Sequence, residues 1–550
     1  MGEGSSAGAT IPARSGVGQG MKQAVIATLL ASLGWLAADP AQARDVVASG
    51  TVYEERDGHP GRGTDDPGIA GVQVSNGRAI VVTDARGQYR LPISSGQTVF
   101  VIKPDAYRFA TGADGLPQFW RHYAPAGSPQ LHHAGIAPSA AAPGGDFALL
   151  RAEAAAGDLE MLVFSDSQAA SRTDLDYYDR DIVKPLAGQS RARLGTTLGD
   201  LVNDDLSLYP ALNRITRQLG VPWFHVPGNH DLNTDARDDI DSLSSWRAVY
   251  GPDTYAVNDS GASFVFLDDV VFQPGTKPGY VGGLREDQFA FLEAYLAALP
   301  KDRLLVLGMH IPLFDAAPGR ETFRHADRAR LFALLRDFPH VLVLSGHSHT
   351  QQHYFHDAED GWAGATPLHE YNVGAACGAF WSGVKDADGI PDATMADGTP
   401  NGYAVLTVKQ DGEYALDYHA ARDRHDAQMT LHAPKVLRQG AYPAWGVYAN
   451  VFMGQADTAV EFRVDGGDWK PMKRVVQPDP RLQAENVRDD EADHLRGYDR
   501  SPEATPSAHL WRGALPTDLP VGQHEVQVRA RLPAREVTAM TGYRLETAQP

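Results

Sequence analysis

Residues 223–231 read WFHVPGNHD, a short apolar run that ends in an asparagine, a histidine and an aspartate. The apolar run is typical of a buried strand, and the proline and glycine that follow it indicate a turn. Side chains that can bind a metal ion therefore stand directly after a strand. In open α/β sheets, ligands bind outside the carboxyl ends of the strands. This stretch predicts an α/β fold with a polar site at one edge of a sheet.

Four more segments show the same order of an apolar run followed by ligand-type side chains. They read MLVFSDSQ at 161–168, LGTTLGD at 194–200, LLVLGMH at 304–310 and VLVLSGHSH at 341–349. Helical patterns lie between them, at 209–219, at 285–299 and in a segment that we expect Asp327 to cap. Strands that alternate with helices predict a layered α/β domain.

The polar residues that follow these runs form a coherent set of metal ligands. The candidates are Asp166, Gln168, Asp200, Asn229, His310, His347 and His349. Their oxygen and nitrogen atoms are hard or borderline ligands, which suit Zn, Mn or Fe. A glycine precedes Asp200, Asn229 and His347, and it lets the backbone approach an ion closely. If the backbone is extended at 347–349, both imidazoles point the same way.

The ordered set resembles the calcineurin-like metallophosphoesterases. The family pattern is Asp-x-His, Gly-Asp, Gly-Asn-His-Asp/Glu, His and Gly-His-x-His. It stands here as DSQ at 166–168, GD at 199–200, GNHD at 228–231, His310 and GHSH at 346–349. The match spans about residues 159–418. Each residue alone has a plain structural explanation, but five motifs in the family's order do not.

The resemblance implies a four-layer α/β sandwich core and a site for two divalent or trivalent metal ions. It implies that Asp166, Gln168, Asp200 and His349 hold the first ion, and that Asn229, His310 and His347 complete the second, to which Asp200 bridges. A hydroxide that bridges the ions would attack the phosphorus atom. His230 would stand beside the scissile phosphate, with Asp231 holding its ring.

Gln168 departs from the family pattern, which has a histidine at this position. An amide oxygen is a weaker, neutral ligand, so the first site would bind its ion more loosely or favour a harder ion. The Asp-x-Gln form is similar to a subgroup that carries extra domains at both ends, which favours an active enzyme. The same departure leaves an alternative of another class open. In it the core is a non-catalytic scaffold, and the protein binds glycan in the cell envelope.

The segments on either side of the core have strand patterns instead of helical ones. The turn signal SNG at 75–77 separates two apolar runs, and residues 460–464 alternate between apolar and charged side chains. We therefore expect a leader and signal peptide at 1–43 and an N-terminal β-sandwich module at 44–147. The catalytic domain would span 155–420 and a C-terminal β module 421–550. The fold class is α/β, flanked by two small all-β domains.

A long segment at 369–402, rich in glycine, aspartate and aromatic residues, follows the last ligand motif. Loops of this length are usually functional or mobile. We expect it to form a wall of the substrate site, with Trp381 as a contact. A surface loop that packs on the terminal modules is the alternative.

Composition narrows the substrate class. The net charge of -20 argues against a nucleic-acid polymer or an anionic membrane surface as partner. A small phosphate ester stays compatible, because bound metal ions would dominate the local field. We expect a phosphomonoesterase, because no pocket for a second alcohol is evident. A phosphodiesterase or a nucleotidase with the same site is the alternative.

The N-terminus has the pattern of a secretory signal peptide. Residues 24–38 are mostly apolar, and Ala41-Gln42-Ala43 follows as a small-x-small cleavage site. The apolar run is short for a membrane span, although a retained anchor is the alternative. Cys377 is the only cysteine, which excludes an intrachain disulfide and fits a bacterial periplasm. The sequence predicts an exported protein, periplasmic or secreted, without a membrane span after cleavage.

Overall fold

The computed structural model describes residues 46–58, 61–139, 144–152, 157–317, 319–424, 427–442, 444–533 and 535–548. All described residues belong to one compact unit. The expected leader and signal peptide at 1–43 lies outside the described residues. Within the described ranges, no helix has the length and apolarity that a membrane crossing requires.

The first region of the chain is built from short strands. These are β1 (Val46–Glu54), β2 (Gln73–Ser75), β3 (Ile80–Val82), β4 (Gln88–Ile93), β5 (Gln97–Val101), β6 (Tyr107–Phe109), β7 (Trp120–Tyr123) and β8 (Phe147–Arg151). They form two four-stranded sheets, ordered β4-β1-β8-β6 and β3-β2-β5-β7. The turn predicted at 75–77 joins β2 and β3, which pair antiparallel. β8 runs past the expected limit at residue 147, because it pairs with β1 in the first sheet.

The central region alternates strands and helices. Its strands are β9 (Leu159–Phe164), β10 (Leu194–Leu198), β11 (Trp223–Val226), β12 (Tyr255–Asp259), β13 (Ala262–Phe266), β14 (Val270–Phe272), β15 (Tyr280–Gly282), β16 (Leu304–Gly308), β17 (Val341–Ser345), β18 (Gln352–His356), β19 (Leu368–Asn372), β20 (Gly402–Val408) and β21 (Tyr414–Ala420). Its helices are α1 (Arg172–Tyr178), α2 (Lys184–Leu186), α3 (Tyr209–Thr216), α4 (Ser244–Tyr250), α5 (Glu286–Ala298) and α6 (His325–Leu335). A π-helical turn, Asp179–Val183, links α1 to α2.

Two sheets face each other in this region. One has the order β11-β10-β9-β20-β21 and the other β12-β13-β16-β17-β19-β18. Phe224 on β11 stacks on Phe266 on β13, with ring centroids 5.7 Å apart, so the sheets pack through apolar side chains. Tyr178 of α1 contacts Phe164 on the first sheet, and α5 packs beside α6 on the second. This arrangement confirms the predicted four-layer α/β sandwich.

Each of the five apolar runs named above is a strand of these sheets. β9, β10 and β11 run parallel to one another, as do β13, β16, β17 and β19. One detail of the helices differs from the prediction. Helix α6 begins at His325 after Arg324, so Asp327 does not cap it. Asp327 lies in the first turn, where its carboxylate accepts a 3.1 Å hydrogen bond from the backbone N–H of Leu284.

The last region is again rich in strands. They are β22 (Met429–His432), β23 (Val436–Arg438), β24 (Gly446–Val451), β25 (Ala459–Val464), β26 (Lys470–Pro471), β27 (Lys473–Pro478), β28 (Pro506–Ala514), β29 (Gly522–Arg531) and β30 (Glu536–Glu546), with one helix, α7 (Pro480–Asp490). The sheets have the orders β22-β24-β28-β27 and β23-β30-β29-β25-β26. The expected domain limits near residues 147–155 and 420 stay predictions, because the three regions pack as one unit.

Both flanking regions contact the core through buried groups. On the N-terminal side, Phe119 packs against Phe224 and Tyr255, and the Lys103 ammonium lies 3.0 Å from the Asp259 carboxylate. On the C-terminal side, the Asn450 amide donates a 2.9 Å hydrogen bond to the carbonyl of Asp397 in the core and a 2.7 Å one to the carboxylate of Asp479 in the module. The core is therefore held from both ends, which limits the freedom of the loops at the carboxyl ends of its strands.

Candidate metal centre

The segments that follow β9, β10, β16 and β17 meet at one edge of the facing sheets. The backbone N–H of Gln168 donates to the carbonyl of Asp200 at 2.9 Å, and that of Gly346 donates to the carbonyl of His310 at 2.9 Å. The N–H of His347 donates to Asp166 Oδ2 at 3.0 Å. Backbone contacts thus bring together residues that are up to about 180 positions apart in the chain.

Asp200, His310 and His347 form the tightest group of ligand-type atoms. One ligand atom from each lies within 4.8 Å of the others. His310 Nε2 is 3.3 Å from Asp200 Oδ2, 3.2 Å from His347 Nδ1 and 3.1 Å from the side-chain oxygen of Asn229. The other ring nitrogen of His310 donates to the Leu198 carbonyl at 2.8 Å, which leaves Nε2 as a lone-pair donor for an ion.

Asp166 and His349 form a second pair beside the first group. His349 Nε2 lies 3.5 Å from Asp166 Oδ1, and its Nδ1 is 2.6 Å from the Gly378 carbonyl, which again turns Nε2 toward the site. Asp166 Oδ2 accepts hydrogen bonds from the Ser165 hydroxyl and from the backbone of His347. Asp166 Oδ1 is buried and has no hydrogen-bond partner. A buried carboxylate oxygen without a partner is costly unless a cation faces it. The donor set therefore fits metal ions.

The pKa shifts of the histidines at the site also fit a bound cation. Burial opposes a charge on His310, but the carboxylates of Asp200 and Asp166 outweigh it and raise the pKa of His310 to about 10. Burial and the adjacent His310 lower the pKa of His347 to about 4. A bound cation would take the place of the His310 proton, so metal affinity should fall as the pH falls.

The backbone is strained where the candidate ligands stand. Five of them have positive φ angles: Asp166 (47°), Gln168 (37°), Asp200 (48°), His347 (71°) and His349 (48°). Each such residue costs on the order of 1–3 kcal/mol, and residues of this kind concentrate at functional sites. The condition of an extended backbone at 347–349, under which both imidazoles would point the same way, is not met. The left-handed bends turn one imidazole toward His310 and the other toward Asp166.

Two glycines allow this crowding. A Cβ on Gly228 would lie 2.2 Å from the backbone nitrogen of Asp200 and 2.3 Å from its Oδ1. A Cβ on Gly346 would lie 2.1 Å from the Ser165 hydroxyl oxygen and 2.8 Å from Asp166 Oδ2. The predicted need for glycine is confirmed, and the structure specifies it: the close approach is to the ligand side chains.

His230 lies at the exposed side of the group. Its backbone N–H donates to Asp200 Oδ1 at 2.8 Å, and its ring Nδ1 is 2.9 Å from the carboxylate of Asp204. Burial opposes a charge on the ring, but the hydrogen bond with Asp204 and the charge of Asp200 outweigh it and raise the pKa of His230. Asp204 therefore favours the protonated form of the ring.

Asp231 does not hold that ring, contrary to the prediction. Its buried carboxylate accepts hydrogen bonds from the backbone N–H groups of Gly228 (2.9 Å) and Leu201 (3.1 Å) and from the hydroxyl of Tyr209 (3.0 Å). Burial and the charge of Asp200 raise the pKa of Asp231 to about 7. Its side chain braces the two loops that carry Asp200 and Asn229.

Comparison with protein families agrees with this geometry. Residues 161–351 match the model of the calcineurin-like phosphoesterases. Residues 60–134 match the N-terminal module of calcineurin-like phosphoesterases, and residues 370–535 match the C-terminal module. The chain is a calcineurin-like phosphoesterase. It is a metal-dependent phosphoric ester hydrolase, of the subgroup with an extra module at each end.

Similar single proteins were also found. The probable glycerophosphodiester phosphodiesterase GpdQ of Arcobacter nitrofigilis is 26% identical over 202 residues, which are 34% of this chain and 70% of that protein. A dimetal phosphatase from Danio rerio is 14% identical, over 48% of this chain and 99% of its own, with a TM-score of 0.33. Vacuolar protein sorting 29 from Cryptosporidium parvum is 11% identical, over 48% and 97%, with a TM-score of 0.21. These scores are too low for either structural likeness to bear on function.

Three residues of this phosphoesterase that contact the site were not predicted: Asp204, Asp269 and Cys377. Asp204 is the partner of the His230 ring. Asp269 is fully buried and accepts hydrogen bonds from the backbone of His310 (2.9 Å) and Ile311 (2.8 Å). It follows the end of β13, so the strand-end pattern that found the other residues also points to it. Cys377 is buried, and its Sγ lies 3.8 Å from His349 Nδ1.

Trp381 is not the substrate contact that the sequence suggested. Its side chain is only 1% exposed, and its indole N–H donates to the carbonyl of Ser167 at 3.1 Å. It therefore anchors the 369–402 segment to the loop that carries Asp166 and Gln168. The exposed ring beside the site belongs to the preceding residue, Phe380, which stacks on His349.

The two carboxylates near His230 can be told apart by mutation. Asp204→Asn removes the charge that raises the pKa of His230, so the alkaline fall of kcat/KM should move to lower pH. Asp231→Asn should leave that limb in place and reduce the free energy of unfolding by about 1–3 kcal/mol, because a buried acceptor of backbone N–H groups is weakened. Full pH–rate profiles and denaturant unfolding of both variants test this. A limb that moves only in Asp231→Asn would contradict the assignment.

Proposed function

We propose that this phosphoesterase is a phosphodiesterase with two metal ions at the carboxyl ends of its strands. Asp166, Gln168, Asp200 and His349 would hold the first ion, and Asp200, Asn229, His310 and His347 the second. The grouping of the side chains supports this division. His310, His347 and Asn229 converge beside Asp200, whereas His349 faces the unpartnered oxygen of Asp166.

The charge of the site is the observation that favours a diester. Among the described residues, no arginine or lysine forms a hydrogen bond or ion pair with any of the candidate ligands or with His230. A monoester dianion would gain from an extra cation beside its oxygens, whereas a diester carries a single negative charge. With two carboxylate ligands, a pair of dications keeps enough positive charge for that single anion.

Two aromatic rings contact the candidate histidine ligands. Tyr280 meets the His347 ring edge-on, with centroids 5.9 Å apart, and Phe380 stacks on His349 at 4.4 Å. Burial raises the pKa of Tyr280 to about 12, so its hydroxyl stays neutral. Neutral aromatic surface suits the alcohol groups of an ester. The Arcobacter nitrofigilis relative is a probable glycerophosphodiester phosphodiesterase, which also supports a diester as the substrate.

The residues of the chain divide the work of hydrolysis as follows. In the overall reaction, a water oxygen forms a bond to phosphorus and the bond to one ester oxygen breaks. Bound metal ions supply Lewis acidity and a more acidic water. His230, whose pKa is raised by its hydrogen bond with Asp204, donates a proton to the departing ester oxygen, so that a neutral alcohol leaves. Asp269 and Asp231 keep the backbone of His310 and of the Asp200 loop in place.

Metal binding and turnover should be lost together when the candidate ligands of the second ion are removed. We expect His310→Ala and Asn229→Ala each to reduce the metal content by about one ion per chain and turnover by about 100-fold or more, because second-site ligands are removed. His325→Ala is the matched control: this histidine is half exposed, lies at the start of α6 and pairs with Asp315. Elemental analysis after equilibration with Mn or Zn, with rates on the same samples, tests the point. Full turnover in His310→Ala would contradict the assignment.

A pair of chromogenic substrates separates diester from monoester preference. With equal concentrations of metal, kcat/KM should be about tenfold or more higher for bis(p-nitrophenyl) phosphate than for p-nitrophenyl phosphate, because no arginine or lysine among the described residues pairs with the candidate ligands or with His230. A higher kcat/KM for the monoester would overturn the proposal and favour the phosphomonoesterase that the sequence suggested.

We also propose that the protein is exported. The apolar run at 24–38 and the Ala-Gln-Ala site at 41–43 support this, as does the single cysteine of a large chain. Expression of the full chain in a Gram-negative host should give a periplasmic protein that begins at Arg44, as N-terminal mass spectrometry would show. An uncleaved chain in the cytoplasm would contradict the proposal.

A further inference from the structure

Phe380 is an exposed aromatic residue beside a buried candidate ligand. Its side chain is 57% exposed, and its ring centroid lies 4.4 Å from that of His349, at an angle of 26°. His349 itself is 11% exposed and faces Asp166. One face of the phenyl ring is thus covered by the imidazole, and much of the rest is open to solvent next to the metal centre.

The backbone at this point is strained. Phe380 and Trp381 have consecutive positive φ angles of 56° and 54°. A left-handed residue that is not glycine costs roughly 1–2 kcal/mol, so two in a row need strong support. The support is visible: the Trp381 backbone N–H donates to the Cys377 carbonyl at 3.0 Å, and the Trp381 indole is buried against Ser167. The buried tryptophan holds the bend, and the bend directs the phenylalanine outward.

The same segment is tied to the metal centre itself. The backbone N–H of Cys377 donates to the carbonyl of Asp166 at 3.0 Å, and the carbonyl of Gly378 is 2.6 Å from His349 Nδ1. The position of the Phe380 ring is therefore set by the residues that would hold the first ion. An apolar ring placed this way gains little from core packing, and its open surface is available for contact with a ligand.

We propose that Phe380 determines specificity by stacking on the retained alcohol group of a phosphodiester, when that group is planar and aromatic. This inference rests on the proposed phosphodiesterase function. His230, which protonates the leaving oxygen, donates its backbone N–H to Asp200. Phe380 instead stacks on His349, which faces Asp166. The leaving alcohol must lie within reach of His230, so the group at Phe380 is the alcohol that stays on phosphorus. A phenyl face favours aromatic rings over alkyl chains.

Two diesters with the same leaving group test this: phenyl p-nitrophenyl phosphate and methyl p-nitrophenyl phosphate. In the native protein, kcat/KM should favour the phenyl ester. In Phe380→Ala, kcat/KM for the phenyl ester should fall about tenfold, mainly through a higher KM, while that for the methyl ester changes less than about twofold. Phe380→Trp, which keeps an aromatic face, should retain the preference.

Phe355→Ala is the matched control. Phe355 is 44% exposed and also stacks on a histidine, His369, with centroids 4.6 Å apart, but it lies on β18. Its removal should leave the phenyl-to-methyl ratio unchanged. Metal content is measured in parallel, and we expect native values in Phe380→Ala.

Either of two results would overturn the inference: an equal loss for both esters, or a loss of metal in Phe380→Ala that shows the ring only supports His349. If the native protein hydrolyses neither diester, the proposed phosphodiesterase function has failed. The inference about Phe380 fails separately when the native protein hydrolyses both and the ratio does not respond to the mutation.

Discussion

The burial of two carboxylates at one point is the constraint on which the rest of the site depends. Asp166 and Asp200 are both almost completely inaccessible to solvent, and Asp166 Oδ1 has no hydrogen-bond partner. Buried charge of this kind is unstable without compensation. The described residues offer no arginine or lysine as a partner for these carboxylates, and the histidines that face them have their outer nitrogens occupied by backbone carbonyls. The arrangement makes sense as a cradle for cations.

Much of the surrounding structure serves to keep these side chains in place. Five of the candidate ligands adopt left-handed backbone conformations. Such a conformation costs free energy in a residue other than glycine, so it persists only where the surrounding structure supports it. Backbone hydrogen bonds between segments, such as that from Gln168 to Asp200, offset this strain. Glycines at positions 228 and 346 give the space. The packed sheets and the modules on both sides supply the free energy that offsets the strained backbone of the candidate ligands. This is one physical reason for a large chain around a small site.

The strands and most of the site could be predicted because both leave local signals. An apolar run followed by a polar residue marks a strand end, and parallel strands bring their ends to one edge. That rule indicates the candidate ligands at positions 166, 200, 229, 310 and 347. Applied after β13, the same rule also indicates Asp269.

The errors concern the direction of side chains. Whether Asp204 or Asp231 reaches the His230 ring, and whether Trp381 or Phe380 faces solvent, depends on the bends of the loops. These bends are set by hydrogen bonds between distant segments, such as that from the Trp381 indole to Ser167. Neighbouring residues of similar chemistry cannot be separated without that information. The cap of α6 failed for a related reason, because Asp327 bonds to a different loop.

The most direct test of a two-metal centre is anomalous diffraction from crystals of the protein equilibrated with Mn or Zn, with data collected on both sides of the metal absorption edge. We expect two anomalous peaks about 3.5–4 Å apart, with Asp200 between them. One peak should lie beside Asp166 and His349, and the other beside His310 and His347. A single peak, or peaks away from these residues, would contradict it.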